Sequence, residues 1–222
     1  GTSDLLFWTD ASAGQASTVF EVTGDALFPA SDARLPSIAF SVNGTATLDS
    51  NESWVNIAQA AVTLKQGPVQ FNDINVSLTT TGWELLVNDL DLASGAQLLL
   101  EAGLIPDSGR GPLAAASISG TINALSLSGS LFDESIERVA VDFDDISVQE
   151  DTPFPGVSGL SGSLMLRGTA GQIQINSNDL KLGIPTQFPD PMQLGNVNAV
   201  IDFNVTDDEI VIREGRAAAQ AD

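Results

Sequence analysis

Apolar and polar residues take turns along most of this chain. Val69 and Phe71 share a face across Gln70 and Asn72, and Ile74, Val76 and Leu78 then alternate with Asn75, Ser77 and Thr79. Leu160, Gly162, Leu164 and Leu166 oppose Ser161 and Ser163, and Val197, Ala199, Ile201, Phe203 and Val205 oppose Asn198, Asp202 and Asn204. A period of two places successive side chains on opposite sides of a β-strand, whereas a helix needs 3.6. The pattern predicts strands over 4–10, 16–24, 36–48, 53–65, 69–80, 83–92, 120–129, 137–148, 159–167, 171–177, 179–184, 196–206 and 209–214. Turn-forming residues separate them, among them Asn43 with Gly44, Gly67 with Pro68, Thr81 with Gly82, and Gly168 to Gly171. Connections this short make neighbouring strands antiparallel, so the expected fold is mainly β, a large meander sheet.

Two segments break the alternation. Ser94 is placed to cap a helix over 95–104, with Leu98, Leu99 and Leu100 as its apolar face and Pro106 ending it. A second short helix is expected from Pro112 to Ser117, with proline in its first turn. Asp151 to Gly156 reads as a loop and Pro185 to Pro191 as an irregular or single-turn segment. A strand–turn–strand echo recurs near 36–65, 159–184 and 196–214 without a fixed period, so residues 1–222 are read as one β-rich unit.

Composition narrows the partners. Of 222 residues, 43% are hydrophobic and 17% charged, the remainder being rich in Ser, Thr, Asn, Gln and Gly, which suits strands with one greasy and one uncharged polar face. With 29 acidic against 8 basic residues the net charge is −21. Nucleic acid is thereby excluded as a partner, and flat electrostatic docking on anionic headgroups is unfavourable. No apolar run approaches the ~20 residues that span a bilayer. Residues 1–15 lack the charged start and apolar core of a secretion signal, and the stretch Arg216 to Asp222 stops without a closing signal, so the chain is expected to be a piece of a longer protein.

The chemistry of catalysis is thinly represented. Without His, Cys or Tyr the usual general base, thiol nucleophile, zinc ligands and phenolic acid are missing, and no metal or cofactor is expected. Carboxylates gather at Asp142, Asp144 and Asp145 and again at Asp207, Asp208 and Glu209, but neither group follows a calcium-loop spacing, and both read as solvated turns or edge-protecting charges. A carboxylate hydrolase would be sought at Asp142, Asp145 and Asp151; the expectation is no enzyme. Trp8, Trp54 and Trp83 could make a sugar-stacking platform, yet each sits in an alternating strand, where a core position is expected.

One stretch carries a resemblance. Pro155 and Gly156 lead into a small-residue hairpin through Leu164; Gly171 to Ile175 and Leu180 to Pro185 follow, then Phe188 to Met192, then the alternating strand from Leu194 to Phe203. This order resembles the AsmA-like superfamily, most of all its large YhdP-type members. Upstream, Gly82 and Trp83 ahead of Leu85 to Leu90, and the Trp8-bearing first strand, are similar to it more loosely. Residues 154–204 are the specific part, and Phe203 stands where the family pattern carries Trp. The resemblance implies a periplasmic protein anchored to the inner membrane by a segment outside this chain, whose flanking repeats continue a curved, taco-like β-groove. It also implies a task, the passage of phospholipid between inner and outer membranes. The groove-lining candidates, taken from the alternation, are Val62, Leu64, Phe71, Val76, Leu78, Leu85, Val87, Leu164, Leu166, Ile173, Ile175, Leu180, Leu182, Ile201 and Phe203.

The residues permit that task without requiring it. Exposing an acyl chain costs roughly 0.8 kcal/mol per methylene, on the order of 10 kcal/mol per chain, so a conduit must offer apolar surface along its whole length. The same alternation would serve a closed core, and a secreted β-sandwich that binds glycan or protein is the other reading, marked by tryptophans exposed on a flat face.

Overall fold

Most links are too short to cross the sheet, so a strand turns back beside its predecessor, and the computed structural model keeps that order even across residues 92–117. It describes residues 3–12, 15–27, 37–49, 52–64, 67–101, 117–132, 135–149, 155–188, 190–206 and 209–220. Strands β1 (Ser3–Ser12), β2 (Gln15–Leu27), β3 (Ser37–Leu48), β4 (Glu52–Leu64), β5 (Gly67–Thr79) and β6 (Gly82–Asp91) precede helix α1 (Leu92–Glu101). Strands β7 (Ile118–Ser130), β8 (Ile136–Val148), β9 (Gly156–Arg167), β10 (Ala170–Gly183), β11 (Met192–Val205) and β12 (Ile210–Gln220) follow. All twelve join one antiparallel sheet in sequence order, curved and not closed, with β1 and β12 as its edges. The expected mainly-β groove is therefore present as a single sheet rather than the two of a sandwich.

Local chemistry fixes the turns. Between β5 and β6 the Thr79 hydroxyl accepts the Gly82 N–H at 3.0 Å. Gly168, at φ 54, lets β9 return as β10 within two residues. Thr206 N–H donates to the Glu209 carbonyl at 2.9 Å and closes β11 onto β12. Between β10 and β11 the Gln187 and Phe188 N–H groups both donate to the Ile184 carbonyl, each at 2.8 Å, so this segment is the single turn expected.

Three expectations are corrected or fall outside the described residues. The helix starts earlier than predicted: Asp91, not Ser94, is the cap, its carboxylate accepting the Ser94 N–H at 2.8 Å. The segments expected at 171–177 and 179–184 are one strand, because the break at Asp179 is a bulge and not a turn. The second helix and the carboxylates Asp151, Asp207 and Asp208 lie outside the described residues.

Bulges recur from strand to strand. Asp73 on β5, Asp89 on β6 and Asp145 on β8 have φ of 52°, 52° and 49°, the left-handed region that Asp tolerates better than most side chains, and Asp179 on β10 has φ 148°, outside it. The register slips beside them, between Asn72 and Asn75, Phe143 and Ile146, and Asn178 and Leu180. Two glycines make room on the facing strands. A Cβ at Gly120 would lie 2.8 Å from the Asp145 carbonyl oxygen, and one at Gly159 would lie 2.9 Å from that of Asp179. Each bulge bends its strand and shifts the alternation by one. A transverse crease results, and the apolar set stays on the same side along the whole strand: Val69 and Phe71 before it, Ile74, Val76 and Leu78 after.

Candidate functional site

The register of the twelve strands can be followed as one continuous row. Thr9, Thr18, Ala46, Val55, Val76, Leu85, Leu127, Val139, Leu166, Gly171, Phe203 and Ile212 pair in succession from β1 to β12. A parallel row runs Val87, Leu125, Val141, Leu164, Ile173 and Ile201. All fifteen lining candidates fall on this face, and none of the inner positions paired through these registers is Asp, Glu, Lys or Arg. Strand charges such as Glu84, Arg138, Asp142, Arg167 and Asp202 stand on the opposite side.

Burial shows which side is concave. Every buried apolar residue among the described residues (Ala60, Leu64, Val69, Val87, Leu180, Val197, Ala199 and Phe203) belongs to the same face. Among the described residues no second sheet covers it: the extensive contacts are those between hydrogen-bonded strands and those of α1 with β5, β6 and β7. Leu98 of α1 packs on Leu64 and Val69 beside Val62 and Phe71, which roofs one part of the face. The rest of the inner rows are half-buried or exposed, Phe7 on β1, Leu78 on β5 and Ile212 on β12 being 61%, 40% and 67% exposed. The chain exposes 13943 Å², against about 9,700 Å² for a compact monomer of 23.1 kDa. An open concavity accounts for both facts, since inward curvature crowds neighbouring side chains without sealing them.

Aromatic rings on this face lie over glycines of the adjacent strand. The Phe203 ring covers Gly171 so closely that a Cβ there would collide with it, and a Cβ at Gly129 would lie 3.0 Å from the Trp83 ring. Phe20 lies over Gly44 in the same way, with 3.0 Å to its ring tip. Such cross-strand pairs flatten the rings against the sheet and keep them from standing into the concavity. Phe203 is only 7% exposed for this reason.

Of the carboxylates on β8, Asp144 is tied into a network of serines that runs beside the bulges. The Ser161 hydroxyl donates to Asp144 Oδ1 at 2.6 Å and accepts the Asp145 N–H at 3.0 Å. Ser161 N–H donates in turn to the Ser177 hydroxyl at 2.8 Å, and Ser177 returns a bond to the Ser161 carbonyl at 3.3 Å. These contacts replace ladder bonds lost at the Asp145 and Asp179 bulges. Ser177 is 1% exposed and fully satisfied on the apolar face, a polar member that alternation alone did not identify. Among the described residues no three metal-ligating side chains converge.

The tryptophans divide. Trp83 is half-buried on the inner face, as a core reading expects, whereas Trp8 (65% exposed) and Trp54 (42% exposed) stand on the outer face, against expectation. The reason is architectural: with one sheet, no other strand or helix among the described residues packs on the outer face of β1–β4. Inner residues missed by the alternation list include Leu125, Leu127, Val139, Val141 and Phe143, although 137–148 reads as a strand with the same period. No family model, no curated protein and no solved structure matches this chain.

Proposed function

We propose that the concave face is a section of a hydrophobic conduit that holds the acyl chains of phospholipids in transit between the inner and outer membranes. In this reading the chain is one segment of an AsmA-like periplasmic protein, continued by flanking repeats and tied to the inner membrane by an anchor elsewhere in the molecule. The observation that carries it is the unbroken, uncharged row across twelve strands over which, among the described residues, no second sheet lies and α1 packs on one part. Eleven strand spacings of ~4.8 Å give an apolar track of about 53 Å, more than twice the ~20 Å of an extended sixteen-carbon chain. The headgroup stays outside in water, so its desolvation does not oppose passage.

Photo-crosslinking tests this directly. With benzoylphenylalanine at Leu164 or Ile173 (inner), phospholipid adducts are expected in cells; at Met165 or Gln172 (outer, and paired with each other) they are not. Equal labelling on both faces, or none on either, refutes the conduit.

A further inference from the structure

The outer face of β1–β4 carries a second surface that the conduit does not use. Two adjacent rows of four residues define it: Trp8, Val19, Thr45 and Asn56, then Asp10, Ser17, Thr47 and Trp54. The indoles occupy diagonal corners. Asp10 and Asn56 occupy the others, and between them lies a floor of short side chains, with Ser17 and Thr47 hydroxyls 3.4 Å apart. A shallow depression opens on this floor beside Trp8. Three strand spacings and two residues along the strand separate the two indoles by about 16 Å.

From this arrangement we propose that the outer face of β1–β4 binds an oligosaccharide of the cellulose or chitin type. A pyranose offers an apolar C–H face for stacking on an indole and a rim of hydroxyls for hydrogen bonding. About three such sugars in line, at ~5 Å each, bridge the gap between the two indoles. The floor and its corners supply what the rim needs, namely three hydroxyls, the Asp10 carboxylate and the Asn56 amide, whose Nδ2 also donates to Asn75 Oδ1 at 2.7 Å. A protein partner fits less well, because the floor between the indoles is made of short polar side chains and lacks the apolar core of a stable interface. Because this surface lies opposite the concavity, saccharide binding and lipid passage stand or fall separately.

The three tryptophans make the test internal. Chitohexaose and cellohexaose, titrated into the intact chain, are expected to shift indole fluorescence saturably for at least one of the two sugars. Trp83→Phe, on the other face, should leave the titration unchanged. Trp8→Ala and Trp54→Ala should each weaken binding about tenfold, and Thr47→Val, which keeps the strand-forming shape but loses the hydroxyl, should weaken it several-fold. Circular dichroism of each variant must match the parent. Absence of a saturable shift with either sugar overturns the proposal, as does unchanged affinity in both Trp→Ala variants. A concentration-dependent dimer in sedimentation that Trp8→Ala abolishes would overturn it too, by giving the face to a second copy of the chain.

Discussion

A single charge in the middle of the inner face should stop lipid while leaving the protein folded. Val141 on β8 lies between Leu125 and Leu164 in the second inner row and is half-buried, so Val141→Asp introduces a carboxylate that can still reach water. The cost to folding is set by lost apolar contact and strand propensity, about 1–2 kcal/mol. The cost to an acyl chain is larger. A hydrated carboxylate occupies about one strand spacing, ~5 Å, and displaces roughly four methylenes from apolar contact, which at ~0.8 kcal/mol each is about 3 kcal/mol. That corresponds to roughly a hundredfold slower passage or weaker retention. The measurement is transfer of a fluorescent phospholipid between donor and acceptor vesicles by the protein, alongside mass spectrometry of copurified lipid. Met165→Asp, one strand away on the outer face, is the matched control and should transfer normally. If Val141→Asp transfers lipid at the parental rate while its urea midpoint drops as expected, acyl chains do not travel along this face and the reasoning fails.

Two further outcomes probe the scaffold. Asp145→Val forces a β-branched residue to φ near 49° and should destabilise the chain by about 1–2 kcal/mol in urea unfolding, whereas Asp145→Gly should cost clearly less; equal losses would show that the bulge geometry is not what Asp145 supplies. Asp91→Ala removes the N-cap of α1 and should cost about 1 kcal/mol, with faster amide exchange confined to the first turn of the helix and Asp91→Asn largely restoring protection.

Most of the sheet was legible because a buried face imposes a period of two, and the period survives in the text of the chain. Even the phase slips can be read: Asn72 followed by Asp73, and Asp144 followed by Asp145, put two polar residues in succession where the apolar set changes parity. At Asp179 the same device was taken for a gap between strands, since a residue preceded by Asn178 resembles turn chemistry and only the register distinguishes bulge from turn. The helix start was misplaced by three residues because Asp91 and Ser94 are both good caps and their choice depends on where β6 ends. Trp8 and Trp54 were misjudged for a different reason. Alternation tells which side chains share a face, but not whether a second layer covers that face, and among the described residues no second layer lies on the outer one.

The strictly sequential order of the strands has a further meaning for how such a molecule can change over time. Each strand is held by the two neighbours that precede and follow it in the chain, so stability accrues hairpin by hairpin, much as in a stack of repeats. Gain or loss of one whole hairpin would lengthen or shorten the track by about 10 Å and return the chain to the same direction and the same sidedness. Loss of a lone strand would instead reverse every element after it. Length is thus the property this design can vary freely, in steps of two strands, while the character of its lining stays constant.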